Sequence, residues 1–411
     1  NIGDLICTTP AIHALREKFP DAKIGILVNS YNADAVAGNP DIDEVSVNKG
    51  MNAIRKIYQV RVDKGKMSPA EMEQKMALIS GATGYEGLSD VDIVIEAVIE
   101  DLEIKRKIFS ELDTIVPQNA ILATNTSSLS VSAIGAATKR PEKVIGLHFF
   151  NPAYAMKLVE VIPGIATSSE TKDDAVTFVE GLRKIPINVR ETAGFLVNRL
   201  LMPYLNEAAL VLQDGSSTVR DVDASMVSFG MPMGPFALLD MIGIDVAARV
   251  ADILYDSYGP RIQPASILYE MARDGYLGTK TGRGFYDYTE GKDDHLDPII
   301  KRIQGEKGAK KSSYSASRLL LAMINEAVLV LQEGISSVSD IDIAMVTGTG
   351  FPQDKGGPLH YADKIGIDRV LEEMQQHKSE LGYRFWPAPM LKRMVGAGFL
   401  GVKSGRGFFD Y

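Results

Sequence analysis

The stretch that decides the fold is residues 90–126, DVDIVIEAVIEDLEIKRKIFSELDTIVPQNAILATNT. It contains two short apolar runs, DVDIVIEAV at 90–98 and AILATNT at 120–126, and each is typical of a buried strand. The residues between them, 101–114, have a helical pattern. A strand, a helix and a second strand in this order predict two parallel strands joined by a crossover helix.

The same pattern continues on both sides of this stretch. Further strands are predicted at AKIGILVN (22–29), KVIGLHFF (143–150), KLVEVI (157–162) and IPINVR (185–190). Residues 50–80 have the pattern of an amphipathic, basic helix or helix pair, and a further helix is predicted at 169–183. Short strand-like runs separated by helices indicate an α/β domain with a mainly parallel sheet.

After about residue 190 the pattern becomes helical, and this half of the chain contains an internal duplication. The segment NRLLMPYLNEAALVLQDGSSTVRDVDASM (198–226) recurs as SRLLLAMINEAVLVLQEGISSVSDIDIAM (317–345), with 16 of 29 positions identical. The segment GYLGTKTGRGFYDY (275–288) recurs as GFLGVKSGRGFFDY (398–411), with 10 of 14 identical. We therefore predict two tandem all-α domains, copy 1 at 191–290 and copy 2 at 316–411, joined by a polar, basic surface linker at 291–315.

Composition excludes several classes of protein. The 411 residues carry a net charge of −9, which argues against general binding to nucleic acid or to an anionic membrane. Cys7 is the only cysteine, so no internal disulfide forms, and this suits a cytoplasmic protein. The five histidines are scattered, which predicts no zinc-type metal site. The most apolar stretch is too short to span a bilayer, and no signal peptide is visible.

Polar side chains follow two of the predicted strands. The cluster NTSSLS (125–130) comes directly after a strand, where open α/β sheets bind their ligands, although Ser and Thr are also preferred helix N-caps. His148 ends another strand, and a lone histidine there is more often a structural residue. Glu160 is an acid inside an otherwise apolar strand. If the two strands are adjacent, Glu160 accepts a hydrogen bond from His148 and tunes it as a base; otherwise it pairs with a Lys or Arg.

Seven motifs, in their order and spacing, resemble the 3-hydroxyacyl-CoA dehydrogenase family over roughly residues 50–411. They are EAVIEDLEIK, NTSSLS, HFFNP, KLVEVI, GFLVNRLL, FGMPMGPFALLDMIG and LGTKTGRGFYDY. The resemblance implies a Rossmann-like dinucleotide-binding domain at 50–190, followed by the helical domains, with NAD as cofactor and an acyl-CoA as substrate. It also implies that the chain interconverts 3-hydroxyacyl-CoA and 3-oxoacyl-CoA in fatty-acid metabolism.

The same resemblance assigns roles to individual residues. It implies that His148 is the catalytic acid and base, that Glu160 orients it, and that Ser127 and Asn198 contact the reacting oxygen. On its own, Asn198 would be a packing or capping residue. The cofactor-binding residues that the resemblance implies are Ala97, Glu100, Lys105, Asn125, Ser127 and Asn151.

Residues 1–49 do not fit this family. The family begins with a strand, a Gly-rich G-x-G-x-x-G turn, a helix and a second strand that ends at a ribose-binding acid. No such glycine pattern occurs in residues 1–49, and Asn29 stands at the position where the acid is expected. This segment instead resembles the N-terminus of the heptosyltransferase family, as a helix–strand fragment that completes the sheet. We therefore expect a chimera with weakened NAD binding, because Gly3 is the one glycine near the first helix start and Asp4 would repel phosphate.

Two alternatives to the dehydrogenase remain open. One is a degenerate CoA-binding or interaction protein that does not use NAD, and the other is a glycosyltransferase fragment. Copy 2 has Ser317 where copy 1 has Asn198, so we expect copy 2 to be structural. The resemblance implies that in single-copy relatives the helical domain forms the dimer interface. We therefore expect a monomer in which the two copies form an internal pseudo-dimer.

Overall fold

The computed structural model describes residues 24–28, 44–85, 87–289, 294–305 and 314–411. The chain divides into two compact units, Asn1–Glu191 and Thr192–Tyr411. Among the helices in the described ranges, none is both long enough and apolar enough to cross a membrane. The candidate residues Gly3, Asp4 and Asn29 lie outside the described residues.

The first unit is built on a six-stranded sheet whose spatial order follows the chain. Its strands are β1 (Ile24–Val28), β2 (Ile93–Ala97), β3 (Ile121–Thr124), β4 (Val144–Phe149), β5 (Leu158–Pro163) and β6 (Ile185–Asn188). Strands β1 to β4 are parallel, β5 runs antiparallel to β4, and β6 runs parallel to β5. The predicted strands are confirmed, and the short β4–β5 connection explains the reversal, because a parallel pair needs a longer crossover.

Five helices accompany this sheet among the described residues. They are α1 (Glu44–Asp63), α2 (Pro69–Met76), α3 (Leu102–Ile115), α4 (Val131–Gly135) and α5 (Ser169–Gly181). The predicted helix pair at 50–80 is α1 and α2, which share a cluster of buried apolar side chains. Helix α3 begins directly after β2 because Asp101 caps it by accepting from the Ile104 N–H at 3.0 Å. This cap places Lys105 within the first turns of α3.

The second unit contains two similar series of helices. Copy 1 contains α6 (Val197–Gln213), α7 (Val219–Phe229), α8 (Pro235–Ile242), α9 (Ile244–Tyr258) and α10 (Ser266–Arg273). Between the copies lies α11 (Asp297–Gln304). Copy 2 contains α12 (Ala316–Gln332), α13 (Val338–Thr349), α14 (Pro358–Ile365), α15 (Ile367–Leu381) and α16 (Pro389–Gly396).

The predicted linker contains a helix. Residues 291–315 were expected to form a surface connector, but they contain α11. Leu296 and Ile299 are buried there, and Arg302 binds Glu270 and Asp274 on the end of copy 1. The apolar spacing of these two residues within a polar segment is the physical reason, because burying them favours a helix over a free linker.

The two copies use equivalent buried aspartates to hold their C-terminal segments. In copy 1, Asp240 accepts from the backbone N–H groups of Phe285 and Tyr286 at 2.7 and 2.9 Å. In copy 2, Asp363 accepts from Phe408 and Phe409, both at 2.9 Å. Burial raises the pKa of both aspartates, against the lowering effect of these N–H donors. The repeated motif GRGF–DY is thus explained by one hydrogen-bonding arrangement.

Helices α6 and α12 carry reciprocal ion pairs between the two copies. Arg199 binds Glu326 at 2.8 Å, and Arg318 binds Glu207 at 2.6 Å. Both arginine side chains are fully buried, and both glutamates are nearly so. A second arginine joins each glutamate: Arg261 lies 3.0 Å from Glu326, and Arg384 lies 2.9 Å from Glu207. Each copy therefore supplies the partners of the charges in the other.

Candidate active site

A buried ion pair joins strand β2 to helix α3. The side chains of Glu96 and Lys105 are both fully buried, and the ammonium lies 2.6 Å from Glu96 Oε1. The other carboxylate oxygen, Oε2, accepts from the Thr124 hydroxyl at 2.7 Å. Charges buried in this way persist only where they are paired and hydrogen-bonded. The pair therefore ties the carboxyl ends of β2 and β3 to the first turns of α3.

Glu100 organises the loop that follows β3. Its Oε1 atom accepts from the Thr126 hydroxyl at 2.6 Å, and from the backbone N–H groups of Ser127 and Ser128 at 2.8 and 3.0 Å. Its Oε2 atom lies 3.6 Å from the ammonium of Lys105. The helix N-cap interpretation of the NTSSLS cluster is confirmed for one residue, and its ligand-binding interpretation stays a prediction. Ser130 is the N-cap of α4, whereas Thr126 to Ser128 are held by Glu100.

Asn125 connects this loop to strand β4. Its backbone N–H donates to the Glu96 carbonyl at 2.8 Å, and its side-chain Oδ1 accepts from the Phe149 N–H at 2.9 Å. Phe149 directly follows His148, so Asn125 couples the position of the serine loop to that of the histidine. The Asn125 side chain is half-buried, at the carboxyl ends of two parallel strands.

His148 and Glu160 form a close pair across the antiparallel strands β4 and β5. The two residues are direct partners in the strand register, and His148 Nδ1 lies 2.5 Å from Glu160 Oε2. Both side chains are buried, and the ring of Phe150 lies 4.6 Å from the imidazole, between centroids. A carboxylate at Nδ1 favours the tautomer that carries its proton there. Nε2 is then the ring nitrogen able to take a proton from a ligand.

The remaining predicted residues lie in three different places. Ala97 is the last residue of β2 and is buried, while Asn151 is exposed beyond the end of β4. Asn198 is half-buried at the start of α6, in the second unit. The structure brings Glu100, Lys105, Asn125 and Ser127 together in one hydrogen-bonded group and His148 with Glu160 in another, with Asn125 as their link.

One member of this group, Glu96, was missed in the sequence. Like Glu160, it is an acid inside an apolar strand, and the argument applied to Glu160 applies to it equally. Its partner Lys105 was named, but as a residue that contacts the cofactor. Glu96 lies in a strand and Lys105 in a helix, so neither the strand period nor the helix period predicts that their side chains meet. Their contact depends on where α3 begins, which the cap at Asp101 sets.

The site has polar groups of the kind that hydrogen-bond the nicotinamide end of a dinucleotide. Half-buried amide, hydroxyl and carboxylate groups of Asn125, Ser127 and Glu100 lie at the carboxyl ends of parallel strands. These groups can hydrogen-bond a carboxamide and sugar hydroxyls, and this edge is where open α/β sheets bind their ligands. The fold and the site together define an α/β dinucleotide-binding protein that carries an imidazole–carboxylate pair.

Comparison with known families agrees with this class. A family model described as the 3-hydroxyacyl-CoA dehydrogenase NAD-binding domain matches residues 25–192. A model described as the C-terminal domain of the same family matches residues 194–288 and again 314–411. The chain belongs to the 3-hydroxyacyl-CoA dehydrogenase family, and NAD is the cofactor of its first domain.

Curated relatives and solved structures are consistent with this membership. The chain is 39% identical over 376 residues to the fatty acid oxidation complex subunit alpha of Shewanella sp. strain MR-4, a match that covers 90% of this chain and 53% of that protein. It thus spans about half the length of the curated relatives it matches. A 3-hydroxybutyryl-CoA dehydrogenase from Escherichia coli K12 has a TM-score of 0.80 at 27% identity, covering 92% of this chain and 99% of that one.

A shorter solved structure matches part of the chain. The (S)-3-hydroxybutyryl-CoA dehydrogenase from Ralstonia eutropha is 38% identical with a TM-score of 0.61. The match covers all of that protein (100%) but only 66% of this chain. About a third of this chain therefore lies outside the match.

Proposed function

We propose that this chain is an NAD-dependent dehydrogenase that interconverts 3-hydroxyacyl-CoA and 3-oxoacyl-CoA in fatty-acid oxidation. The observation that carries the proposal is the His148–Glu160 pair beside the serine loop, at the ligand-binding edge of a sheet that belongs to an NAD-binding domain. The names of the relatives, fatty acid oxidation complex subunit alpha and 3-hydroxybutyryl-CoA dehydrogenase, support the substrate class.

The residues of the site divide the chemistry between them. When bound, the cofactor supplies hydride transfer, and the protein supplies the proton and the orientation. Neutral His148 takes the hydroxyl proton at Nε2, and as imidazolium it returns one to the keto oxygen in the reverse direction. Glu160 holds Nδ1 and stabilises the imidazolium that forms. Ser127 is assigned to position the oxygen that gains and loses charge, and the same role for Asn198 stays a prediction from the sequence.

An absorbance assay tests this function. Addition of acetoacetyl-CoA to the chain with NADH should remove the NADH absorbance, and the loss should depend on the concentration of the chain. Binding of acetoacetyl-CoA without loss of NADH would favour the alternative of a degenerate CoA-binding protein. The glycosyltransferase alternative depended on residues 1–49, and the NAD-binding family model already includes these from residue 25.

The start of the family model bears on the weak NAD binding expected from residues 1–49. The match to the family model begins within β1, and β1 pairs directly with β2. We infer that β1 stands for the first strand of the dinucleotide fold, so the segment after it corresponds to the Gly-rich turn rather than to the ribose-binding acid. The segment that follows, NSYNADAVAGN (29–39), lacks the G-x-G-x-x-G pattern. The chimera with a heptosyltransferase-like fragment stays a prediction.

Calorimetric titration with NADH measures the consequence. A variant in which residues 29–43 carry a G-x-G-x-x-G turn and helix start should bind NADH at least about tenfold more tightly, because backbone N–H groups can then approach the pyrophosphate. A matched control inserts the same segment with alanine in place of each glycine. Equal affinities for the original chain and the glycine variant would show that the turn is not needed here.

We further propose that the two helical copies are tandem C-terminal domains that form an internal pseudo-dimer. The reciprocal Arg199–Glu326 and Arg318–Glu207 pairs support it, because a two-fold interface repeats every contact with the partners exchanged. Light scattering of this chain should give the mass of one chain over a hundredfold range of concentration (about 0.1 to 10 μM, near which weak dimers dissociate). An obligate dimer formed through copy 1 would contradict the proposal.

A further inference from the structure

Lys105 lies too deep in the first unit to meet a ligand directly. Its side chain is fully buried, and its ammonium lies 2.6 Å from Glu96 Oε1 and 3.6 Å from Glu100 Oε2. The Val98 carbonyl oxygen lies 3.5 Å from the same nitrogen. The ammonium thus donates to Glu96 and to the Val98 carbonyl and forms a longer ion pair with Glu100.

Of the two carboxylates, only Glu100 reaches the serine loop. Its side chain is 27% exposed, so water competes for it, whereas Glu96 is fully buried. One oxygen of Glu100 accepts from four donors in Thr126, Ser127 and Ser128, at 2.6 to 3.2 Å. The other oxygen faces Lys105. The orientation of the carboxylate therefore depends on a cation at one end and sets the loop backbone at the other.

We propose that Lys105 and Glu96 are positioning residues that act on the reaction through Glu100 and the backbone of Ser127. This rests on the proposed function of the chain, and it replaces direct contact between Lys105 and the cofactor. Glu96 binds the Lys105 ammonium, and that ammonium binds the Glu100 carboxylate. Glu100 in turn accepts a hydrogen bond from the Ser127 N–H. Ser127 is thereby placed relative to His148, since Asn125 joins the same loop to the residue after the histidine.

The physical reason is that the serine loop holds only one oxygen of the Glu100 carboxylate, whereas Lys105 balances the charge at the other. Without the cation, the partly exposed Glu100 gains hydration by turning outward, and the N–H groups of Ser127 and Ser128 then lose their acceptor. Small displacements of a positioning group lower the rate of the chemical step more than they lower binding. The chain of contacts therefore predicts a loss in kcat with little change in cofactor affinity.

The test compares Lys105→Met with Lys107→Met, which makes the same change at an exposed position of the same helix. Hydrogen–deuterium exchange of peptides covering residues 121–130 should accelerate in Lys105→Met and not in Lys107→Met. With acetoacetyl-CoA and NADH, kcat should fall about tenfold or more in Lys105→Met, while the Kd for NADH changes less than about threefold. In a Ser127→Ala background, Lys105→Met should lower kcat no further.

Three results would overturn the proposal. They are unchanged exchange in residues 121–130, a large rise in the Kd for NADH with unchanged kcat, and additive effects of the Lys105 and Ser127 substitutions. Because Lys105→Met leaves Glu96 unpaired, the double variant Glu96→Gln/Lys105→Met, which keeps the buried pair neutral, repeats every measurement. If the original chain does not oxidise NADH, the proposed function fails, whereas the exchange measurement still decides whether Lys105 holds the loop.

Discussion

Replacing His148 by glutamine is expected to lower kcat at least about a hundredfold, which is the usual effect of losing a general base. Glutamine keeps a polar group beside Glu160 but cannot take a proton from the substrate hydroxyl. The Kd for NADH should stay near that of the original chain, since His148 is paired with Glu160 and not with the groups assigned to the cofactor. Stopped-flow absorbance at the NADH band, under single-turnover conditions, measures the step directly.

The matched control for this substitution is His360→Gln. His360 is half-buried in the second unit and has no role in the proposed chemistry, so kcat should be unchanged. A His148→Gln variant with the turnover of the original chain would remove His148 from the mechanism. Equal losses in both variants would point to a general effect on folding instead.

Replacing Glu207 by glutamine is expected to lower the free energy of unfolding of the second unit by about 3–5 kcal/mol. The carboxylate is the partner of Arg318, which is fully buried, and of Arg384, which is partly exposed. Its removal takes away the carboxylate that lies 2.6 Å from the Arg318 guanidinium, and the Asp214 carboxylate lies farther away, at 3.8 Å. Loss of a close counter-charge is costly for a buried ion because the protein replaces little of its lost hydration.

Urea unfolding monitored by tryptophan fluorescence measures this loss with a probe that lies in the second unit. The single tryptophan of the chain, Trp386, lies in copy 2, where its carbonyl accepts from the Asn325 side chain at 3.1 Å. The matched control is Lys280→Met, which breaks an ion pair with Asp245 in which both side chains are well exposed. It should cost at most about 1 kcal/mol. Equal shifts in the two variants would show that the buried network contributes no more to stability than an exposed ion pair.

Much of the first unit was predictable because its strands are short apolar runs with clear ends. The pairing of His148 with Glu160 was also predictable, since an acid within an apolar strand requires a partner and the next strand offers one. The register that makes them direct neighbours was not, because it depends on how the eight-residue segment 150–157 turns the chain back. The role of Lys105 was unpredictable for a similar reason. Burial of a lysine is decided by its surroundings, and these come from β2, α3 and β3 together.

The second unit shows a different limit. The repeated sequence indicates which residues are equivalent, and Arg199 with Arg318 and Glu207 with Glu326 stand at matching positions. It does not indicate whether each arginine binds the glutamate of its own copy or that of the other. Packing of α6 against α12 decides this, because within one helix the two side chains are eight residues apart, more than two turns.

Because the crossed ion pairs join two parts of one chain, they respond to dilution differently from a contact between separate chains. When two separate chains meet, the fraction that is assembled depends on their concentration and falls as the solution becomes more dilute. Here Arg199 and Glu326 belong to one polypeptide, so their meeting is a unimolecular event. The covalent chain keeps these partners at an effective concentration that does not depend on the amount of protein present. In the proposed pseudo-dimer, the contact between the two copies is therefore independent of the concentration of the protein.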